Sequence, residues 1–136
     1  MNLYYKIKNA LFYNVNCLRA RCQRFLRGYS YGDVWDMDCW FIDTVKPMLI
    51  HLRDHGCGIP AEFENNEKGW HDVLSNMISC LDMMDQDKVY ELLGLSDFGE
   101  RVGMALEDYK HVGDIMETNK NRFFELFSKY FYCPWD

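Results

Sequence analysis

Two arginines, Arg24 and Arg27, stand just before a run of large rings at Tyr29, Tyr31, Trp35 and Trp40. Aromatic faces beside guanidinium groups can stack a nucleobase and hold a phosphate. Arg24, Arg27, Tyr31, Trp35 and Trp40 are therefore candidates for binding a small anionic, nucleotide-like ligand. Asp38 joins them as a candidate acid. Helical spacing sets it between Phe41, Val45 and Leu49 on an apolar face, where a lone carboxylate demands a partner. The same residues also read as core rings, snorkelling arginines and a polar anchor that fixes how two helices meet.

Other groupings offer less chemistry. His51 and His55 are four apart on one side of a helix and Cys57 follows, so these three are the candidate metal ligands. Zinc would need further ligands, and neither a Cys-x-x-Cys pair nor a His-Glu-x-x-His motif supplies them. Histidines near a helix C-terminus also suit its dipole. Asp82, Asp85 and Asp87 form an acidic turn without the glycine and terminal glutamate of a calcium loop. Phosphate-cradling glycine loops and the GxSxG nucleophile elbow are absent. The expectation is a chain that is not an enzyme and holds no cofactor.

Composition limits what must position these groups. The 136 residues are 49% hydrophobic and 26% charged, suited to one globular domain over 1–136 rather than to extended disorder. Aromatic residues make up 16%, enough for a dense core or an adhesive surface. No apolar run reaches the roughly 18 residues of a membrane span, and none resembles a secretory signal. The six cysteines are expected to be reduced and mostly packed. Net charge is −6, unevenly spread: residues 1–30 hold six Lys/Arg and no acid, while the remaining 106 hold nine against 21 Asp/Glu. The basic segment either complements the acidic body or binds an anion; overall acidity argues against nucleic acid.

The periodicity predicts an all-α bundle of about four to five helices. A basic helix over 4–27 carries Ile7, Leu11, Val15, Leu18, Cys22 and Phe25 on one stripe and is closed by Gly28. Ser30 and Asp33 form a capping-box pair, with Tyr29 and Val34 at the staple positions, opening a helix over 31–55 that Pro47 kinks. A third helix over 67–85 has the stripe Trp70, Val73, Leu74, Met77, Ile78, Leu81 and Met84. A short helix at 88–93 ends at Gly94. Helices follow over 97–112 and 114–132, with Gly113 between them. Phe123, Phe127 and Tyr130 form the centre line of the last helix, flanked by Phe124 and Phe131. Phe123, Phe127, Tyr130, Phe131 and Trp135 are candidates for a self-association surface, and the same rings also read as core.

The run GYSYGDVWDMDCWFIDTVKPMLIHLRDHGCGIPAEF and the closing ELFSKYFYCPWD resemble a family of small phage and prophage proteins. In that family an aromatic-Ser-x-x-Asp-x-Trp-x-x-Asp opening leads into a helix with an internal proline and a Gly-x-Pro turn. An aromatic helix ending in Trp-Asp closes its members. The matching positions are Ser30, Asp33, Trp35, Asp38, Pro47, Leu49, Gly58 and Pro60, then Phe127, Lys129, Tyr130, Phe131, Trp135 and Asp136. About half the chain is covered, and 85–115 reads as an insertion relative to shorter members. The resemblance implies a phage-derived origin and a helical fold, and it transfers no catalytic residue.

The function expected is a non-enzymatic binding protein in the cytoplasm of an infected or lysogenic bacterial host. Its partner would be a host protein or a small anionic ligand, in counter-defence. The alternatives are an assembly accessory acting through protein contacts, as a homo-oligomer for instance, and a small metal-dependent or Cys/His enzyme.

Overall fold

The structure of the chain, a computed structural model, describes residues 3–56, 58–95, 103 and 105–132. Among these residues the regular elements are all helical. They are α1 (Leu3–Arg27), α2 (Met37–His55), α3 (Glu67–Asp82), α4 (Gln86–Leu92) and α5 (Leu106–Tyr130), with 3-10 turns at Gly32–Val34 and Ala61–Phe63. The fold is all-α. No helix among the described residues is long and apolar enough to cross a membrane. Contacts divide the chain into two units, Met1–Trp40 and Phe41–Asp136, the division falling in the first turn of α2.

The helix ends have local causes. Gly28 takes the left-handed conformation (φ +79°), and its N–H donates to the Arg24 carbonyl at 2.8 Å, closing α1. The helix expected over 31–55 begins only at Met37, because the Ser30–Asp33 pair caps the 3-10 turn and not an α-helix. Pro47 lies inside α2, where it removes one bond to the preceding turn. Asn66 caps α3, its side-chain oxygen accepting from the Gly69 N–H at 3.0 Å. Asp85 caps α4 by accepting from the Asp87 N–H at 3.0 Å. Asp82 is paired with Lys46 and Lys88. The acidic turn is thus occupied by caps and ion pairs.

The second unit is held by two clusters. In the larger, α3 supplies Trp70, Leu74, Met77, Ile78, Cys80 and Leu81, all buried, against Leu49 of α2 and Phe123, Leu126 and Tyr130 of α5. Burial raises the Cys80 thiol above its ordinary value. Tyr130 packs edge-on to Trp70 at 5.4 Å, and its hydroxyl donates to Glu62 at 2.5 Å. Lys129 donates to the same carboxylate at 3.0 Å, so the turn at Ala61–Phe63 is tied to the end of α5. In the smaller cluster Val89 and Tyr90 of α4 meet Val112, with Ile115 and Met116 beside them.

Two expectations about these elements are corrected. Gly113 does not separate two helices: α5 runs through it, because Val112 and Ile115 on either side pack against α4. Of the earlier helix over 97–112, residues 96–102 and 104 lie outside the described residues. Helical spacing sets Val34, Met37 and Met48 on one face of the second helix with Phe41, Val45 and Leu52, yet these three are exposed.

Gly113 also yields a prediction. It is exposed, does not have positive φ, and a methyl group there meets nothing within 4 Å. Gly113→Ala should therefore stabilise the protein by about 1 kcal/mol through helix propensity. A urea titration reads this directly, and a loss of stability would mean that α5 is broken at this point.

Candidate functional site

The first unit folds around a corner between α1 and the start of α2. After Gly28 turns the chain, the Ser30 N–H donates to Asp33 Oδ2 at 2.7 Å, and the Asp33 N–H returns a longer bond of 3.4 Å to Ser30 Oγ. This reciprocal pair is the capping box that the spacing implied. Arg24 closes it from α1, with Nε 2.9 Å from Oδ2 and Nη2 2.5 Å from Oδ1 of Asp33. Ser30 and Asp33 are both buried. Arg24 and the Ser30 amide hold the Asp33 carboxyl well below the usual carboxylate range.

A second layer covers the pair. Gln23 Oε1 accepts from the Tyr31 N–H at 3.0 Å. Arg27 donates to the Tyr29 carbonyl at 3.3 Å, and its guanidinium lies 4.3 Å from the Tyr31 ring centroid and 5.2 Å from that of Tyr29. That cation lowers the Tyr31 phenol from its ordinary value, by hydrogen bonding first and by charge second. The Trp40 indole N–H reaches back to the Gly28 carbonyl at 3.2 Å.

Two hollows result. One is an apolar groove of about 310 Å³ lined by Tyr29, Asp33, Val34, Met37 and Trp40. The other is a polar cleft of about 480 Å³ whose lining includes Arg19, Gln23, Arg24, Tyr31, Asp33 and Asp36. Two arginines and two aspartates share that cleft, so its formal charges balance. A site built for an anion would leave cationic donors unmatched.

The candidate residues are therefore only partly brought together. Arg24 and Tyr31 line the polar cleft, Arg27 stacks on Tyr31, and Trp40 walls the groove. Trp35 lines neither hollow and is 89% exposed. Asp38 is exposed in the first turn of α2, which corrects the expectation of a carboxylate on an apolar face. The packed side of that helix begins a turn later, at Phe41, and an exposed carboxylate at a helix start is favourable. Sequence reasoning missed Gln23, although its spacing carries a signal: it lies one helical turn from both Arg19 and Arg27.

His51 and His55 stack in parallel, with centroids 4.7 Å apart, beside a groove lined by Pro47, Met48 and Leu52. Cys57 lies outside the described residues. Among those that are described, no group of three or more His, Cys, Asp or Glu is placed to hold a metal. The proposed association surface is corrected at two of its residues. Phe123 and Tyr130 belong to the core, Phe127 is half-buried, Phe131 is exposed, and Trp135 lies outside the described residues. Comparison of the chain with protein-family models, with curated proteins and with solved structures finds no match.

Proposed function

We propose that the chain is a phage- or prophage-encoded, non-enzymatic binding protein that occupies a host protein through the corner of its first unit. The observation that carries this reading is the apolar groove of Tyr29, Val34, Met37 and Trp40, flanked in sequence by the exposed Trp35 and the Arg27–Tyr31 stack. Tryptophan, tyrosine and arginine are the residues that dominate binding energy at protein interfaces. The groove is of a size for one large apolar side chain from a partner. The small-anion version has less support, since Asp33 already engages Arg24 and Asp36 adds a second carboxylate to the cleft.

The test is affinity capture from host lysate with the wild type and with Val34→Glu and Trp35→Ala. Both substituted side chains are exposed, so helicity should be unchanged. A host protein captured in fixed stoichiometry and lost with either variant is the expected result. Saturable thermal stabilisation by a nucleotide, abolished by Arg19→Ala while Val34→Glu retains it, would replace this reading with ligand sequestration.

A further inference from the structure

Met48, His51 and His55 follow one another along one face of α2, three and four residues apart, so each stands a helical turn from the next. All three are exposed, Met48 by 51%. They border one hollow of about 470 Å³, whose remaining lining of Pro47, Leu52 and Gly56 offers no side-chain donor. A thioether and two imidazoles are therefore the groups through which that hollow can hold a ligand.

This donor set is selective. Thioether sulfur and imidazole nitrogen are neutral donors that suit copper and similar metals, whereas magnesium and calcium demand oxygen. The soft sulfur favours the monovalent form of copper. The imidazoles already lie together, within 18° of parallel and with centroids 4.7 Å apart. An ion bonded at about 2 Å to one nitrogen of each ring fits that separation once the exposed rings turn about their last torsion. Met48 is unbranched and flexible, so its sulfur can swing to the same point from the preceding turn. Among the described residues no third His, Cys, Asp or Glu joins the histidine pair. Neighbouring Asp54 is engaged by Arg53 at 2.8 Å and lines no part of the hollow. The donors stand at the C-terminal end of α2, where the partial negative charge of the helix favours a cation.

We infer that Met48, His51 and His55 bind a soft monovalent cation of the copper(I) class. The site belongs to the second unit and shares no residue with the corner groove, so its failure would leave the host-protein reading untouched.

Silver(I), which shares the donor preference of copper(I) and is redox-inert, is the probe. The full chain is used with its accessible thiols capped by iodoacetamide, so that they do not compete; Cys80 is buried. Stoichiometric silver at neutral pH should move the Met48 ε-methyl resonance and the imidazole resonances of His51 and His55 together. Met48→Leu and His51→Asn replace exposed side chains, so the circular dichroism should be unchanged. Each should lower the silver affinity measured by calorimetry at least about tenfold. Silver that leaves the three resonances in place would overturn the inference. So would a shift confined to the histidines and equal in Met48→Leu, which would make the pair an imidazole site without the thioether. Silver binding undiminished in His51→Asn would place the ion elsewhere and overturn it too.

Discussion

Phe123→Ala is expected to cost about 3–5 kcal/mol, the range for removing a ring from a core that cannot collapse into the space. Phe123 is 0% exposed. Phe41 of α2 meets it edge-on at 5.8 Å, Phe124 edge-on at 5.2 Å, and Phe127 stacks on it at 5.3 Å. Two of these neighbours are on the same helix and cannot follow into the cavity without distorting α5. The loss would be a large part of the roughly 5–15 kcal/mol that holds a domain of this size together. Urea unfolding followed by far-ultraviolet circular dichroism measures it. Phe124→Ala, at a half-exposed ring on the same helix, should cost about 1 kcal/mol or less. Equal costs at the two positions would mean that Phe123 is not the centre of the second unit.

Phe123 also illustrates where sequence patterns are informative and where they are not. Helical spacing sets Phe123, Phe127 and Tyr130 on the centre line of the last helix with Phe124 and Phe131 on its flanks, and the structure buries Phe123 and Tyr130 while Phe124 and Phe131 stay half-exposed. In α3 the stripe is equally plain, because Trp70, Leu74, Met77, Ile78 and Leu81 repeat on one face opposite polar residues, and all five are buried. The stripe of α1 is just as regular, yet Val15, Leu18, Phe25 and Leu26 are exposed. Periodicity locates an apolar face; it carries no information about what lies against it. Gly113 was legible as a weak helix former, but its cost of about 1 kcal/mol is small beside the packing of Val112, Ile115 and Met116 against α4.

Within the site the same division holds. The Ser30–Asp33 pair is visible in the chain because capping acts over three residues. Arg24 is nine residues from Asp33, across a left-handed glycine, and nothing local announces that pairing. Asp38 was misplaced for a related reason. Extending a helical wheel back to residue 31 assumed that the packed face of α2 begins with the capping box, whereas a 3-10 turn intervenes.

Asp33→Asn is expected to open the corner. The carboxylate accepts two bonds from Arg24 and one from the Ser30 amide, and an amide side chain keeps one acceptor oxygen for these three donors. Because Asp33 is buried, the donors it leaves behind are not all regained by water. The direction with pH follows from its depressed pKa. Such a group stabilises the folded state above its unfolded value of about 4, and that contribution is lost as the pH falls through the lower folded value. The wild-type corner should therefore hold at neutral pH and loosen progressively below about pH 4, while Asp33→Asn should be loose throughout and lack this acid step. The Trp40 indole resonance reports the event, since its N–H bond to the Gly28 carbonyl exists only while the corner is closed. Ser30→Ala should do less, because it removes only the 3.4 Å bond. A wild-type Trp40 signal in the Asp33→Asn variant would show that Arg24 and Asp33 do not hold the corner together. If instead the corner opens, the groove walls Tyr29, Val34, Met37 and Trp40 lose their common support, and partner capture should fail in this variant even though those four residues are intact.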